Sequence, residues 1–181
     1  MRLKPIENPD NWLVKIAYWW SSREFGKVIT PMKVIYARKP KLMLLANKIY
    51  QFQEKSVSVD PSIRLLIQTQ VSALNGCAFC NDISLAQAVK KKMGAEKFIA
   101  LGDDIEAKAK VFTEKEQAVI AFVIEYAKDR RVSDVTFENL RAFFSETEII
   151  EIVAMNAFEQ YFNAFAVPLE IESDGLRKLA E

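Results

Sequence analysis

The sequence of 181 residues contains no histidine. This absence excludes Ser-His-Asp and Cys-His catalysis, histidine metal sites and a histidine proton shuttle near neutral pH. A general base must therefore be a carboxylate, lysine, tyrosine or thiolate with a shifted pKa. Two cysteines are too few for an all-cysteine zinc site, and mixed sites usually need histidine. The sequence predicts no metal site.

The chain also has little net charge and few glycines and prolines. Its formal net charge is +1, whereas a nucleic-acid binder needs a basic surplus on one face, so we expect no nucleic-acid partner. Only 5 glycines and 6 prolines occur, and half of the residues are apolar. This composition favours long helices, short loops and one domain of ordinary size.

No targeting or membrane-spanning pattern is visible. Residues 1–9 lack an apolar h-region and a small-residue cleavage pattern, which predicts no signal peptide and a cytoplasmic protein. The most lipid-like stretch, residues 149–165, contains Glu151 and Glu159, whose burial in hydrocarbon is costly. It is predicted to be a buried core helix, with no membrane partner.

Apolar residues recur at helical spacing along most of the chain. Tryptophans mark the first helix, and we expect them to be core or subunit-interface anchors, with a substrate-lining role as the alternative. Asp60-Pro61 and two capping boxes, Thr113 to Glu116 and Ser145 to Glu148, are start signals. Helices are predicted over or within residues 8–25, 42–54, 61–74, 85–93, 96–101, 114–127, 134–144 and 146–165.

Both cysteines lie in one motif, Cys77-Ala78-Phe79-Cys80, between two helical patterns that Asn75-Gly76 separates. The sulfurs are therefore expected at the first turn of a helix, where free backbone N–H groups and the helix dipole favour a thiolate. A C-x-x-C motif indicates redox chemistry, half of a metal site, or buried inert thiols. The missing ligands disfavour the metal site, and the other two interpretations stay open.

The residues around this motif, Val59-Asp60-Pro61-Ser62-Ile63-Arg64-Leu65-Leu66-Ile67 and Val71 to Asp82, resemble the core of the AhpD-like alkylhydroperoxidases within the carboxymuconolactone decarboxylase family. A weaker resemblance surrounds Asn156 and Tyr161 to Asn163. Together the two resemblances, which cover the chain from about Pro31 to Val167, imply an all-α, AhpD-like helical fold. The expected organisation is one domain over residues 1–181, with an N-terminal helical extension of about residues 1–30. Subunits are expected to form a homo-oligomer, as a dimer, trimer or hexamer.

The resemblance also implies a function. It predicts a thiol-dependent alkylhydroperoxidase, an antioxidant oxidoreductase that reduces organic hydroperoxides through a Cys77–Cys80 disulfide. A thiol or a disulfide reductase would donate the electrons, and no cofactor is implied. In AhpD-like proteins the residue matching Cys80 attacks and the one matching Cys77 resolves. Helix-terminus physics alone leaves that assignment open.

The sequence departs from the family pattern at the proton relay. Leu65 stands where the family has a glutamate, and Ser84 where it has a histidine. Ser84 lies one helical turn after Cys80, so its hydroxyl is a candidate donor to the thiolate and the third candidate catalytic residue; the alternative is an ordinary helix-surface hydroxyl. Gln68 is a candidate to orient a substrate oxygen, and otherwise polar surface.

The missing relay gives an alternative function, a catalytically degenerate family member that serves as an oligomeric binding or structural protein. Lactone decarboxylation is a weaker alternative, because those relatives resemble one another through histidine-containing sites. Asp82 is expected to face solvent or the start of its own helix. Whether a distant carboxylate, such as Glu116 or Glu159, replaces the relay is left open by the sequence.

Overall fold

The computed structural model describes residues 1–94, 97–98, 101 and 111–180, and every regular element in this part is helical. The predicted all-α class is confirmed. Most of the piece predicted at 96–101 lies outside the described residues. The helices are α1 (Trp12–Phe25), a π-helical turn (Met32–Tyr36), α2 (Pro40–Lys55), α3 (Pro61–Leu74), α4 (Ala78–Lys90), α5 (Glu114–Asp129), α6 (Asp134–Arg141), α7 (Glu146–Ala166) and α8 (Leu176–Ala180).

Polar start signals fix several helix beginnings. The Asp60 carboxylate accepts the Ser62 N–H at 2.8 Å, and both predicted capping boxes, at Thr113 and Ser145, are present. Each supplies an acceptor to N–H groups that have no partner inside the helix. Helix α1 begins at Trp12 rather than near residue 8, because the Asn11 side chain accepts the first free N–H groups.

Helix α3 lies at the centre of the molecule and contacts α4, α5 and α7. The core around it is apolar, with fully buried side chains from each of these packing partners. The Asn75-Gly76 break ends α3, so the chain leaves the centre of the fold at this point. The main core includes Ile67 and Val71 of α3, Val119 and Val123 of α5, and Ile152 and Met155 of α7.

One face of helix α7 is buried in this core, so the predicted core helix is confirmed for that face, whereas Ile150 and Val153 on the other side are exposed. Its Glu151 carboxylate accepts hydrogen bonds from Ser58 N, Ser58 Oγ and Val59 N at 2.8 to 2.9 Å. These donors satisfy a buried charge and fix the loop between α2 and α3. In the described part of the chain, no helix is long and apolar enough to cross a membrane.

A second apolar cluster surrounds the cysteines, and α8 closes it. Leu176 is buried there, and its N–H and that of Arg177 donate to Asp82 at 2.9 and 3.0 Å. The expectation that Asp82 faces solvent or its own helix start is therefore wrong. Its carboxylate is buried and caps a helix distant in sequence, which local patterns do not reveal.

Helices α1 and α2 present apolar side chains on the outside of the chain. Trp12 is 66% exposed and Trp19 is 60% exposed, so the prediction that tryptophans fill the core is wrong for these residues. The interface alternative stays a prediction. On α2, Leu44, Leu45 and Tyr50 are also exposed.

Candidate cysteine site

The junction between α3 and α4 places the two cysteines. Gly76 adopts a left-handed φ of 65°, which residues with a Cβ rarely adopt, and this turn ends α3. Cys77 then serves as the N-cap of α4, and its Sγ accepts the Cys80 N–H at 3.4 Å. The Cys77 N–H donates to the Ser72 carbonyl at 2.9 Å. The predicted location at a helix start is confirmed.

The two sulfurs form a disulfide. The Cα atoms are 5.3 Å apart, within the ordinary range for disulfides. Cys77 is 2% exposed and Cys80 is 4% exposed, so a substrate needs a cavity that reaches the sulfurs.

Such a space lies beside Cys80. The cavity has a volume of about 180 Å³, and its wall is mainly apolar, with several aromatic rings. Cys77 is not among the residues that line it. The wall consists of Ile29, Pro31, Ile35, Tyr36, Tyr50, Gln53, Gln68, Phe79, Cys80, Ile83, Ser84, Gln87, Glu159, Phe162, Phe165 and Ala166.

Glu159 brings a carboxyl group to the wall that holds Cys80. Its Oε1 accepts hydrogen bonds from Ser72 Oγ at 2.9 Å and from Asn163 Nδ2 at 2.7 Å. Burial raises the pKa of Glu159 to about 7, although these two hydrogen bonds act in the lowering direction. The carboxyl group can therefore gain or lose a proton near neutral pH.

A set of side-chain amides connects Glu159 to the end of α3. Asn75 Nδ2 donates to Asn163 Oδ1 at 3.0 Å and to Gln160 Oε1 at 2.8 Å. Because Asn163 also donates to Glu159, these contacts fix α7 against the turn that precedes Cys77. They position the carboxyl group relative to the motif.

Glu116, the other carboxylate named from the sequence, is outside this site. It belongs to the capping box of α5, and Lys97 Nζ lies 2.6 Å from its Oε1. Burial raises the pKa of Glu116, but the hydrogen bonds from Lys97 and Thr113 outweigh it and lower the pKa overall. Glu116 therefore acts as a structural ion-pair and capping residue.

The sequence-predicted neighbours of the cysteines separate into two groups. Ser84 and Gln68 line the cavity, and Ser84 is only 3% exposed, so the interpretation of Ser84 as a surface hydroxyl is wrong. No hydrogen bond joins its hydroxyl to either sulfur in this disulfide state. Leu65 instead belongs to the main core and is not part of the cavity wall.

Three polar wall residues have no motif that singles them out in the sequence. Burial raises the pKa of Tyr36 to about 12 and also raises that of Tyr50, so both phenols keep their protons near neutral pH and can donate them in hydrogen bonds. Gln53 is buried, and its Nε2 has no partner among the described residues. Arg64 holds this segment by donating to the Gln53 carbonyl and pairing with Glu54 at 2.7 Å.

The helical arrangement defines the class of fold. An AhpD-core, peroxidase-related protein of unknown function from Ralstonia eutropha JMP134 superposes with a TM-score of 0.81 at 18% identity, covering 98% of this chain and 95% of that chain. An Agrobacterium tumefaciens protein of unknown function, provisionally linked to the antioxidant defence protein AhpD, gives a TM-score of 0.70 at 24% identity. The alignment covers 77% of this chain and 96% of that chain. The fold is AhpD-like.

The sequence match is more specific. Residues 42–125, which contain the C-x-x-C motif, match the model of the carboxymuconolactone decarboxylase family. The uncharacterized protein YnjA of Escherichia coli K12 is 23% identical over 169 residues, which cover 90% of this chain and 89% of YnjA. Residues 42–125 thus resemble the carboxymuconolactone decarboxylase family, within a chain whose fold is AhpD-like.

Proposed function

We propose that the protein is a dithiol peroxidase that reduces organic hydroperoxides through its Cys77–Cys80 pair. The main support is that Cys80 lines a cavity while it is bonded to Cys77 at the start of a helix. The arrangement brings together a thiol that can attack, a second thiol that can resolve, and room for a substrate. The match of residues 42–125 to the carboxymuconolactone decarboxylase family adds to this support.

In the proposed reaction the Cys80 thiolate attacks the distal oxygen of the hydroperoxide and the O–O bond breaks. Cys80 becomes a sulfenic acid, and the alkoxide takes a proton to leave as an alcohol. The Cys77 thiol then condenses with the sulfenic acid, which forms the disulfide and releases water. Ser84, on the same wall, would donate a hydrogen bond to the Cys80 thiolate. We assign the attack to Cys80 because, of the two cysteines, Cys80 is the one that lines the cavity.

The cavity favours small organic substrates. A cavity of roughly 150 Å³ lined by apolar side chains can hold benzene, and the present one is about 180 Å³. Rings from Phe79, Phe162 and Phe165 contribute apolar surface, while Tyr36 and Tyr50 offer hydroxyl donors. A small alkyl or aromatic hydroperoxide fits this mixture better than hydrogen peroxide, which has no apolar part to bury.

Regeneration of the dithiol needs two electrons and two protons. We assign them to a thiol donor or a disulfide reductase, acting by thiol–disulfide exchange on the Cys77–Cys80 bond. A reducing cytoplasm provides such donors, and we propose that location.

We also propose that the protein is a homo-oligomer. Helices α1 and α2 expose a set of large apolar side chains, including Trp12, Trp19, Leu44 and Leu45, of a kind that is enriched in subunit interfaces. Because α2 supplies Tyr50 and Gln53 to the cavity wall, a partner that covers this helix would also affect the site.

The second candidate function is a degenerate family member that acts as an oligomeric binding or structural protein. The observation that favours it is the absence of histidine together with Leu65 packed in the main core and away from the cavity. Such a protein would keep the same fold and exposed helices without turning over peroxide.

Intact-protein mass spectrometry of the reduced protein separates the two functions. Stoichiometric cumene hydroperoxide is expected to remove two hydrogens from the wild type rapidly. The variant C77S is expected to accumulate a sulfenic acid, whereas C80S is expected to stay unmodified. A folded, reduced wild type that does not react would reject the peroxidase and leave the binding or structural function.

A further inference from the structure

Helix α7 carries two buried glutamates with different surroundings. The Glu151 carboxylate accepts three hydrogen bonds from Ser58 and Val59, so its role is structural. Glu159 lies two helical turns later, on the wall of the cavity that Cys80 also lines. A buried carboxyl group beside a reactive centre needs an explanation, because isolated burial of its charge is unfavourable.

The hydrogen bonds of Glu159 leave one of its oxygens available. Ser72 and Asn163 both donate to Oε1, and Oε2 receives no hydrogen bond from the described residues. The same Ser72 accepts the Cys77 N–H through its backbone carbonyl. One residue of α3 therefore holds both the carboxyl group and the start of the cysteine motif.

We propose that Glu159 is the acid–base catalyst of the cysteine site, a role that rests on the proposed peroxidase function. Glu159 accepts the proton of the Cys80 thiol, directly or through a water in the cavity, and the thiolate attacks the distal oxygen of the hydroperoxide. Glu159 then gives this proton to the departing alkoxide. The products are an alcohol, a Cys80 sulfenic acid and the ionised carboxylate with which the step began.

The other side chains that line the cavity are less suited to this proton transfer. The titratable groups that face the cavity from neighbouring elements are Tyr36 of the π-helical turn, Tyr50 of α2 and Cys80 of α4. Both phenols have raised pKa values and hold their protons near neutral pH. The remaining polar wall residues, Gln53, Gln68, Ser84 and Gln87, do not titrate in this range.

The proton affinity of Glu159 supports the same role. A general acid–base group works best when its pKa lies near the operating pH, and burial brings the pKa of Glu159 to about 7. With a pKa near neutral pH, the carboxyl group can exchange a proton as a histidine would, and the sequence has no histidine.

The test compares E159Q with E151Q, which removes the other buried carboxylate of α7, outside the cavity. The rate of oxidation of each reduced protein by cumene hydroperoxide is measured by rapid-quench mass spectrometry between pH 5 and 9. The E159Q rate is expected to fall about 10²- to 10⁴-fold, the usual contribution of a positioned acid–base group, and its pH profile to lose the inflection near 7. Folded E151Q should keep the wild-type rate and profile.

A second variant, S72A, retains the carboxyl group and guards against misfolding of E159Q. Loss of the hydrogen bond from Ser72 removes a contribution that lowers the pKa of Glu159, so the inflection should move to higher pH. Circular dichroism establishes that each variant is folded.

The possible outcomes separate the role of Glu159 from the peroxidase function itself. A folded E159Q that reacts as fast as wild type with an unchanged pH profile overturns the role of Glu159 and leaves the peroxidase intact. So does a folded S72A whose inflection stays in place. A wild type that fails to react with peroxide overturns both proposals.

Discussion

At the scale of single residues, the pKa of Glu159 connects folding stability to pH. Its folded value of about 7 lies above the ordinary 4.5, so the folded state binds more protons between these values. Stability from this group is therefore fully present below pH 4.5 and is lost as pH rises through 7. The difference amounts to roughly 3 kcal/mol.

The first prediction concerns this linkage. Urea unfolding of the oxidised protein at pH 5 and pH 8 should show that E159Q gains stability relative to wild type at the higher pH. The glutamine carries no charge, so the burial penalty of the carboxylate disappears. E151Q is the control and should not show this pH-dependent gain. An equal difference between E159Q and wild type at both pH values would contradict the shifted pKa.

The Glu151 carboxylate gives a second prediction at this scale. Because E151A leaves the Ser58 and Val59 N–H groups without their acceptor, it should lower the free energy of unfolding by about 2 to 4 kcal/mol. S58A removes only a hydroxyl donor and should lower it by about 1 kcal/mol. Denaturant midpoints measure both values. Similar losses in the two variants would show that the backbone contacts contribute little.

At the scale of elements, α8 depends on a contact from outside itself. It has 5 residues, too few for a helix that is stable alone, and Asp82 accepts its first N–H groups. The cap comes from α4, which carries Cys80 and Ser84. Docking of α8 is therefore coupled to the helix that holds the candidate site.

The third prediction follows from this contact. D82A should release α8 and expose Leu176, which increases amide hydrogen exchange across residues 176–180 by at least tenfold. Exchange in α5 should stay close to wild type, because that helix packs on the main core. E172A changes an exposed carboxylate near α8 and is the control. Unchanged protection of α8 in D82A would mean that packing alone secures it.

At the scale of the whole molecule, the exposed apolar faces of α1 and α2 predict an oligomer. Light scattering of the wild type should give a mass of two or more chains. Each of I16E and L44E should reduce that mass, because a charge in a buried interface is unfavourable. V135E alters an apolar side chain that is 82% exposed on α6, and should leave the mass unchanged. A monomeric wild type would contradict the proposal.

Most of the helical framework could be predicted from the sequence. Asp60, Thr113 and Ser145 satisfy N–H groups within a few residues, so the start signals are local and their structures follow directly. The same holds for Gly76 and for Cys77 at the start of α4. Periodicity also predicted the buried face of α7, because its apolar residues outnumber the charges that interrupt them.

The exposed tryptophans and buried Asp82 show where local patterns fail. An apolar stripe indicates a face that avoids water, but it does not state whether the chain's own core or another surface covers that face. Likewise, Asp82 is charged and lies near its own helix start, yet its partners are the N–H groups of Leu176 and Arg177. Only the packing of α8 on α4 brings these groups together.

The sequence by itself determined the all-α class, the helix starts, and the position of both cysteines at a helix terminus. These features depend on contacts between residues close in the chain. The tertiary structure decided which carboxyl group reaches the cavity, because α3, α4 and α7 have to pack before Ser72, Cys80 and Glu159 become neighbours of one space. Burial by that packing also sets the pKa of Glu159, which no local pattern specifies.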